Sequence, residues 1–190
     1  MSRIIQPITP KYSRELLLAS PDQPEFCFFW GHTPDERGAI TQSCLSQWWK
    51  AAFIYHDVRY CCMEQCMMAG KARLFDDAAA LAEIMASDDP KVIKALGRKV
   101  QGFQEDVWNE VKYALIVAGN YSKFSQNPLL REFLLSTGNA VLVEASPYDR
   151  IWGIGLSADD PLALDPGAWR GQNLLGFALM EVRDQIRSTL

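Results

Sequence analysis

Residues 58–75 form an apolar, sulfur-rich run that contains a single carboxylate, Glu64, and a single amine, Lys71. On an α-helix, residues seven apart differ by about 20° around the axis and about 10.5 Å along it, so both side chains lie on one face. A buried charge is costly unless it is paired or hydrogen-bonded, so two opposite charges in an apolar run indicate the wall of a pocket. The alternative is an amphipathic helix on which both side chains face water.

The composition favours one domain with small-molecule partners. A chain of 190 residues that is 48% hydrophobic is long enough for one well-filled core and short for two. The net charge of -4 argues against charge-driven binding to nucleic acid or to an anionic membrane. No apolar run approaches the roughly 18 residues of a membrane-spanning helix, and the first residues begin no secretory pattern. We therefore expect a cytoplasmic protein with no membrane partner.

The cysteines and histidines do not indicate a metal centre. Five cysteines, an odd number in a chain without an export signal, favour reduced thiols over a disulfide framework. His32 and His56 form no H-x-x-x-H arrangement, and no C-x-x-C pair is present. We predict no metal, no cofactor, and thiols that are buried and unreactive.

Helix caps, breakers and apolar periodicity predict a mainly α protein with a few short strands, with α+β as the alternative class. Four prolines in the first 24 residues indicate an irregular or partly helical lead-in. We predict extended segments at 25–30, 53–60 and 140–145, helices at 78–86, 91–97, 103–119 and 129–135, a loop at 146–156, and a closing helix capped by Asn173.

The predicted loop, S-P-Y-D-R-I-W-G-I-G-L, places Asp149 and Trp152 beside Gly153 and Gly155. Loops held by a rigid strand often present functional side chains. Glycine lets a backbone approach a ligand closely, but it also serves ordinary turns. Asp149 is either a carboxylate of a site or the cap of a turn, and the residues alone favour the turn.

The long helix carries a second candidate cluster. Glu105, Trp108 and Lys112 are spaced i, i+3 and i+7, so one face offers an acid, an indole and an amine. An indole beside a cation suits a planar, anionic ligand, whereas the alternative is a core tryptophan beside a surface Glu-Lys pair. Arg98 follows Gly97 at a predicted helix end, where it either holds a phosphate or is a solvated cation beside the helix dipole, and the solvated end is favoured.

An ordered series of motifs resembles the NADAR family, also called YbiA-like. The motifs are M-E-Q-C-M-M-A-G-K-A-R-L-F at 63–75, L-G-R-K-V at 96–100, W-N-E-V-K at 108–112, K-F-S-Q-N at 123–127, L-V-E-A-S-P-Y-D-R-I-W-G-I-G at 142–155 and W-R-G-Q-N-L-L-G at 169–176. The resemblance predicts a lead-in over residues 1–24 and one NADAR/YbiA-like domain over 25–190. Gln47 departs from the asparagine that the family usually has at this point, which puts a contact by that amide in doubt.

The resemblance implies a single-domain, mainly helical YbiA-like fold and an N-glycosidase. Family members cleave the bond between ribose C1 and an exocyclic amine, in ribosylaminouracil phosphates of riboflavin biosynthesis or in ADP-ribosylated guanine. We therefore expect a phosphorylated ribosylamine as the substrate. The alternatives are an ADP-ribosyl-guanine hydrolase and a non-catalytic module that binds ADP-ribose or another nucleotide.

By their positions in the motifs, Glu64, Trp108 and Asp149 match the family's active-site set, and Lys71 is a further catalytic candidate. We expect the four to line one cleft. In one mechanism Glu64 and Asp149 divide the work of a glycosidase, and in the other neutral Lys71 attacks ribose C1 to form a Schiff base. The direct carboxylate route needs fewer assumptions. Substrate contacts are expected from Trp108, Arg98, Lys112, Trp152, Gly153 and Asn173.

Overall fold

The computed structural model describes residues 5–21, 24–34, 36 and 38–189, and within them it confirms a mainly α fold with short strands. The helices are α1 (Arg14–Ala19), α2 (Met63–Leu74), α3 (Ala78–Ala86), α4 (Pro90–Gly97), α5 (Glu105–Gln126), α6 (Pro128–Ser136) and α7 (Leu174–Arg187). The strands are β1 (Phe26–Phe29), β2 (Phe53–Tyr55), β3 (Val58–Tyr60) and β4 (Val141–Glu144). No helix of this part of the chain is long and apolar enough to cross a membrane.

The chain divides into two compact units, and each is built from two separate segments. The first comprises Met1–Ile8 and Gln47–Asn127, and the second comprises Thr9–Ser46 and Pro128–Leu190. The predicted single domain over 25–190 stays a prediction. Of the predicted lead-in, residues 1–4, 22 and 23 lie outside the described residues.

Helix α2 is the centre of the first unit and packs against α3, α4 and α5. The approach of α5 depends on Gly119, since a Cβ there would lie 2.4 Å from Cε of Met63. The prediction that the long helix ends at Gly119 is therefore wrong. Gly119 serves helix packing, and α5 continues to Gln126. The predicted caps of α3 and α4 are confirmed, because Asp77 accepts from the N–H of Ala80 at 2.9 Å and Asp89 from that of Lys91 at 2.8 Å.

The predicted extended segment 53–60 is a hairpin rather than one strand. β2 and β3 pair antiparallel, with Phe53 opposite Tyr60. His56 and Asp57 form the turn with φ of 51° and 62°. Positive φ at both central residues gives a two-residue turn whose twist matches that of the flanking strands.

The second unit contains the parallel pair β1 and β4, with Phe26 opposite Val141, and α7 packs against β4. Both strands were predicted and are confirmed. The predicted apolar stripe of α7 is also confirmed, because its four side chains are at most 2% exposed: Leu175, Leu179, Val182 and Ile186. The partly helical lead-in is confirmed by α1, and the hydroxyl of Tyr12 donates to Asp184 of α7 at 2.7 Å.

Candidate active site

Glu64 is buried at the beginning of α2. Its side chain lies in the first turn and the residue is 2% exposed. The backbone N–H of Glu64 donates to the carbonyl oxygen of Gln47 at 2.9 Å, which fixes the preceding segment beside the start of the helix. A carboxylate near a helix N-terminus is favoured by the helix dipole, by about 0.3–1 kcal/mol. The alternative in which Glu64 faces water is therefore wrong.

Lys71 is half-buried, and its amine reaches the end of α4. Nζ donates to the carbonyl oxygen of Gly97 at 2.9 Å and lies 4.0 Å from the ring centroid of Phe103. A terminal carbonyl of a helix and the face of an aromatic ring both favour a cation. Burial lowers the pKa of Lys71 below its ordinary value, which opposes this effect. These contacts place the amine of Lys71 at the carbonyl end of α4.

Arg98 caps the same end of α4. Its backbone N–H donates to the carbonyl of Lys94 at 3.1 Å, and its side chain is exposed. This placement agrees with the favoured interpretation, a solvated cation beside the helix dipole. Arg98 directly follows Gly97, whose carbonyl binds the Lys71 amine.

Trp108 and Lys112 lie on the first turns of α5. Trp108 is half-buried, while its neighbours from Glu105 to Glu110 are exposed, so it is not a fully buried core residue. The Lys112 amine donates to Oδ1 of Asn109 at 2.5 Å, on the adjacent turn. A partly exposed indole on a polar helix surface provides a face on which a planar base can stack.

Asp149 organises the loop after β4, and the turn interpretation is confirmed. Its Oδ1 accepts from the N–H of Ile151 at 2.9 Å and from that of Trp152 at 2.8 Å. Its backbone carbonyl accepts from the N–H of Gly155 at 3.1 Å. The carboxylate is half-buried and its orientation is set by these two backbone donors. A turn cap of this kind still presents its second oxygen in a fixed direction.

Gly153 and Trp152 fasten this loop to neighbouring backbone. A Cβ at Gly153 would lie 2.7 Å from the carbonyl oxygen of Glu144, so this glycine permits a close backbone approach within the protein. The carbonyl of Trp152 accepts from the N–H of Leu175 at 3.1 Å, at the first turn of α7. The Trp152 side chain is half-buried.

Asn173 is fully buried and binds β4. It stands at the predicted capping position of α7, but its side chain makes no capping hydrogen bond. Instead Oδ1 accepts from the N–H of Glu144 at 3.0 Å and Nδ2 donates to the carbonyl of Leu142 at 2.9 Å. Its φ of 55° lies in the left-handed region that asparagine tolerates well. Asn173 therefore holds the start of α7 and the end of the loop against the strand.

Two buried polar residues of the first unit were not singled out from the sequence as site residues. Lys123 is 0% exposed, with Nζ 5.0 Å from the ring centroid of Phe124, and Gln47 is 6% exposed. Lys123 lies seven residues after Ile116, on the buried face of α5. If the predicted helix had continued beyond Gly119, its periodicity would have placed Lys123 on that face. Among the described residues there is no group of three or more His, Cys, Asp or Glu side chains that could hold a metal ion.

One thiol differs from the prediction of unreactive cysteines. The Sγ atoms of Cys61 and Cys62 lie 3.8 Å apart directly before α2. The hydrogen bond between the two thiols lowers the pKa of Cys61 to about 7, whereas burial raises the pKa of Cys66 to about 12. The five cysteines are all free, as expected, but Cys27 and Cys61 are half-buried rather than buried, and Cys61 has the lowered pKa of a reactive thiol.

The chain is similar in sequence to known proteins of one family. Residues 28–187 match the NADAR domain. The chain is 40% identical over 166 residues to the N-glycosidase R617 of Acanthamoeba polyphaga mimivirus, covering 85% of this chain and 96% of that protein. It is 33% identical over 116 residues to the N-glycosidase YbiA of Escherichia coli (strain K12), covering 61% of this chain and 66% of that protein.

Two further similarities concern a larger protein and a solved structure. Over 112 residues the chain is 37% identical to the riboflavin biosynthesis protein PYRR of Zea mays, covering 57% of this chain and 16% of that protein. The NMR structure of Escherichia coli YbiA matches with a TM-score of 0.70 and 26% identity over 88% of both chains. The matched family region contains every candidate residue from Gln47 to Asn173.

Proposed function

Because the chain belongs to the NADAR domain family, we propose that it is an N-glycosidase that hydrolyses the bond between ribose C1 and an exocyclic amine in ribosylaminouracil phosphates. The names of two relatives support the reaction, and that of the maize relative supports a substrate from riboflavin biosynthesis. The observation that carries the proposal is Glu64, a carboxyl 2% exposed at the start of α2 in a chain 40% identical to an N-glycosidase.

We assign to Glu64 the transfer of a proton to the leaving amine. Cleavage breaks the bond between C1 and nitrogen, and the amine leaves readily only if it gains a proton. Glu64 is 2% exposed, so this proton transfer takes place largely out of contact with bulk water.

Asp149 is assigned the stabilisation of positive charge on the ribose. As the C1–N bond breaks, charge develops on the sugar in an oxocarbenium-like transition state. A carboxylate whose direction is fixed beforehand lowers the energy of that charge without reorganising during the reaction. The two backbone hydrogen bonds to Oδ1 of Asp149 provide this fixed direction.

Lys71 is assigned an electrostatic role rather than nucleophilic attack. A Schiff base requires a neutral amine, and burial of Lys71 moves its pKa in that direction. However, the hydrogen bond to Gly97 and the contact with Phe103 both stabilise the charged form. The direct route therefore needs no change in the observed contacts, whereas the imine route requires the amine to leave both.

The remaining residues are assigned to substrate binding. Trp108 offers the half-buried face on which the pyrimidine stacks, and Arg98 and Lys112 supply cations for the phosphate. The loop after β4 contributes Trp152, and Gly153 and Asn173 hold that loop in place.

A substrate panel tests the proposed function. Purified protein is incubated separately with ribosylaminouracil phosphate, with ADP-ribosylated guanine and with uridine 5'-phosphate, and released sugar is measured by mass spectrometry. We expect ribose 5-phosphate from the first compound and none from uridine 5'-phosphate, whose glycosidic nitrogen is part of the ring. Faster release of ADP-ribose from guanine would replace the proposed substrate with the alternative one. Binding without release from any compound would refute the enzyme assignment.

A further inference from the structure

Gln47 carries a buried acceptor that the protein leaves unused. The residue is 6% exposed, and its Oε1 has no hydrogen-bond partner among the described residues. A buried polar atom left without a partner destabilises the fold, and most such atoms in folded proteins are hydrogen-bonded. An unsatisfied acceptor of this kind can accept a hydrogen bond from a group that binds beside it.

A second buried glutamine, Gln65 of α2, shows the ordinary arrangement. Gln65 is also buried, at 4% exposed, but its Oε1 accepts from the N–H of Cys61 at 2.8 Å. Its Nε2 donates to the carbonyls of Ile84 at 3.2 Å and Ser87 at 2.9 Å. The two glutamines are similarly buried, but the side-chain oxygen of Gln65 is hydrogen-bonded and that of Gln47 is not.

The backbone places Gln47 beside Glu64. Its carbonyl oxygen accepts from the Glu64 N–H at 2.9 Å, so the two residues are direct neighbours at the first turn of α2. The carboxyl assigned to proton transfer and the unused amide oxygen therefore belong to one local structure of the first unit. A group bound at Glu64 is the natural donor for Oε1.

On the premise of the proposed function, we propose that Gln47 is a substrate-positioning residue whose Oε1 accepts a hydrogen bond from the N–H of the glycosidic amine. An exocyclic amine attached to ribose keeps one hydrogen on this nitrogen, whereas the ring nitrogen of an ordinary nucleoside has none. The contact selects substrates with a secondary glycosidic amine. A buried acceptor left unpaired by the wrong substrate is an effective means of discrimination.

The same contact orients the bond that breaks. With its hydrogen held by Gln47, the glycosidic nitrogen keeps its lone pair free to accept a proton from the carboxyl of Glu64. That carboxyl donates a proton to the nitrogen, water adds to C1, and the electron pair of the C1–N bond goes to the amine. The proton that water loses restores Glu64. Gln47 itself exchanges no proton.

Matched methionine variants test the assignment. Methionine has nearly the shape of glutamine and no strong hydrogen-bonding group. We expect Gln47→Met to lower kcat/KM for ribosylaminouracil phosphate by about tenfold or more while the melting temperature stays equal or rises, because an unsatisfied polar group is removed. The control, Gln65→Met, removes three satisfied hydrogen bonds and should lower the melting temperature while kcat/KM of the folded fraction changes less than threefold.

Each outcome of these measurements either supports or overturns the role of Gln47. An unchanged kcat/KM in Gln47→Met, or a loss that accompanies a fall in melting temperature as in Gln65→Met, would overturn the inference while leaving the N-glycosidase intact. Inactive wild-type protein would overturn both. A substrate with methyl in place of hydrogen on the glycosidic nitrogen gives a test that needs no variant. Wild-type protein should cleave it at least tenfold more slowly than the parent compound, and equal rates would refute the contact.

Discussion

The substitution Asn173→Ala removes a buried amide that links two secondary-structure elements. Both ends of this amide bind β4, at the N–H of Glu144 and the carbonyl of Leu142. Alanine can make neither bond, and it must also adopt the left-handed backbone conformation that Asn173 has, with φ of 55°. The change therefore leaves two strand groups without partners and adds strain at the start of α7.

The expected loss of stability follows from these three effects. A buried group that loses its hydrogen-bond partner costs about 1–3 kcal/mol, and the left-handed conformation costs a residue other than glycine, asparagine or aspartate about 1–2 kcal/mol. Since water can enter part of the space left by the amide, we take the lower half of each range and expect a loss of about 3–5 kcal/mol in the free energy of unfolding. In a chain of 190 residues this corresponds to a fall in melting temperature of about 10 °C.

Urea denaturation followed by circular dichroism measures the change. The matched control is Asn139→Ala, at an exposed asparagine whose Oδ1 accepts from Arg187 at 3.2 Å, and it should alter the free energy of unfolding by less than about 0.5 kcal/mol. A loss below about 1 kcal/mol in Asn173→Ala would refute the structural role of this amide. A large loss of turnover without a loss of stability would instead favour a direct contact with substrate.

Two further predictions concern Lys71 of α2 and Cys61, which lies just before this helix. Lys71→Arg should retain measurable turnover, and borohydride added with substrate should trap no sugar on Lys71. A ribose-derived mass increment on Lys71, with a turnover rate that rises with pH towards a plateau below the ordinary lysine pKa of 10.5, would establish the imine route instead. Cys61 should be alkylated by iodoacetamide before Cys66, with a rate that rises through pH 7 because the thiolate forms above its pKa of about 7. A midpoint near the ordinary value of about 8.5, or equal labelling in Cys61→Ser, would contradict this.

Much of the fold follows from local signals in the sequence. Asp77 and Asp89 cap the helices that they were predicted to cap, because their carboxylate oxygens accept from backbone N–H groups that the first turn of a helix leaves free. β1 and β4 were recognised from short apolar runs, but their parallel pairing joins residues more than 100 positions apart. Pairing at such a separation depends on tertiary packing, which local patterns do not encode.

The predictions from sequence are wrong where one residue type has two structural roles. Gly119 was interpreted as a helix end because glycine disfavours helix, but close packing against Met63 outweighs a propensity cost of about 1 kcal/mol. Asn173 was interpreted as a cap, and its amide satisfies a neighbouring strand instead. Gln47 drew attention only as a departure from the family pattern, since burial and a missing hydrogen-bond partner are properties of the folded chain.

The central claim is that buried Glu64 transfers the proton to the leaving amine. Glu64→Gln keeps nearly the same volume and removes the transferable proton, so kcat for ribosylaminouracil phosphate should fall by about 10²-fold or more while the melting temperature changes little. The matched control, Glu83→Gln, alters an exposed glutamate on α3 and should retain full turnover. Single-turnover release of ribose 5-phosphate, measured for the three proteins at equal concentration, compares them directly. Turnover of folded Glu64→Gln protein within threefold of the wild-type rate would contradict the account.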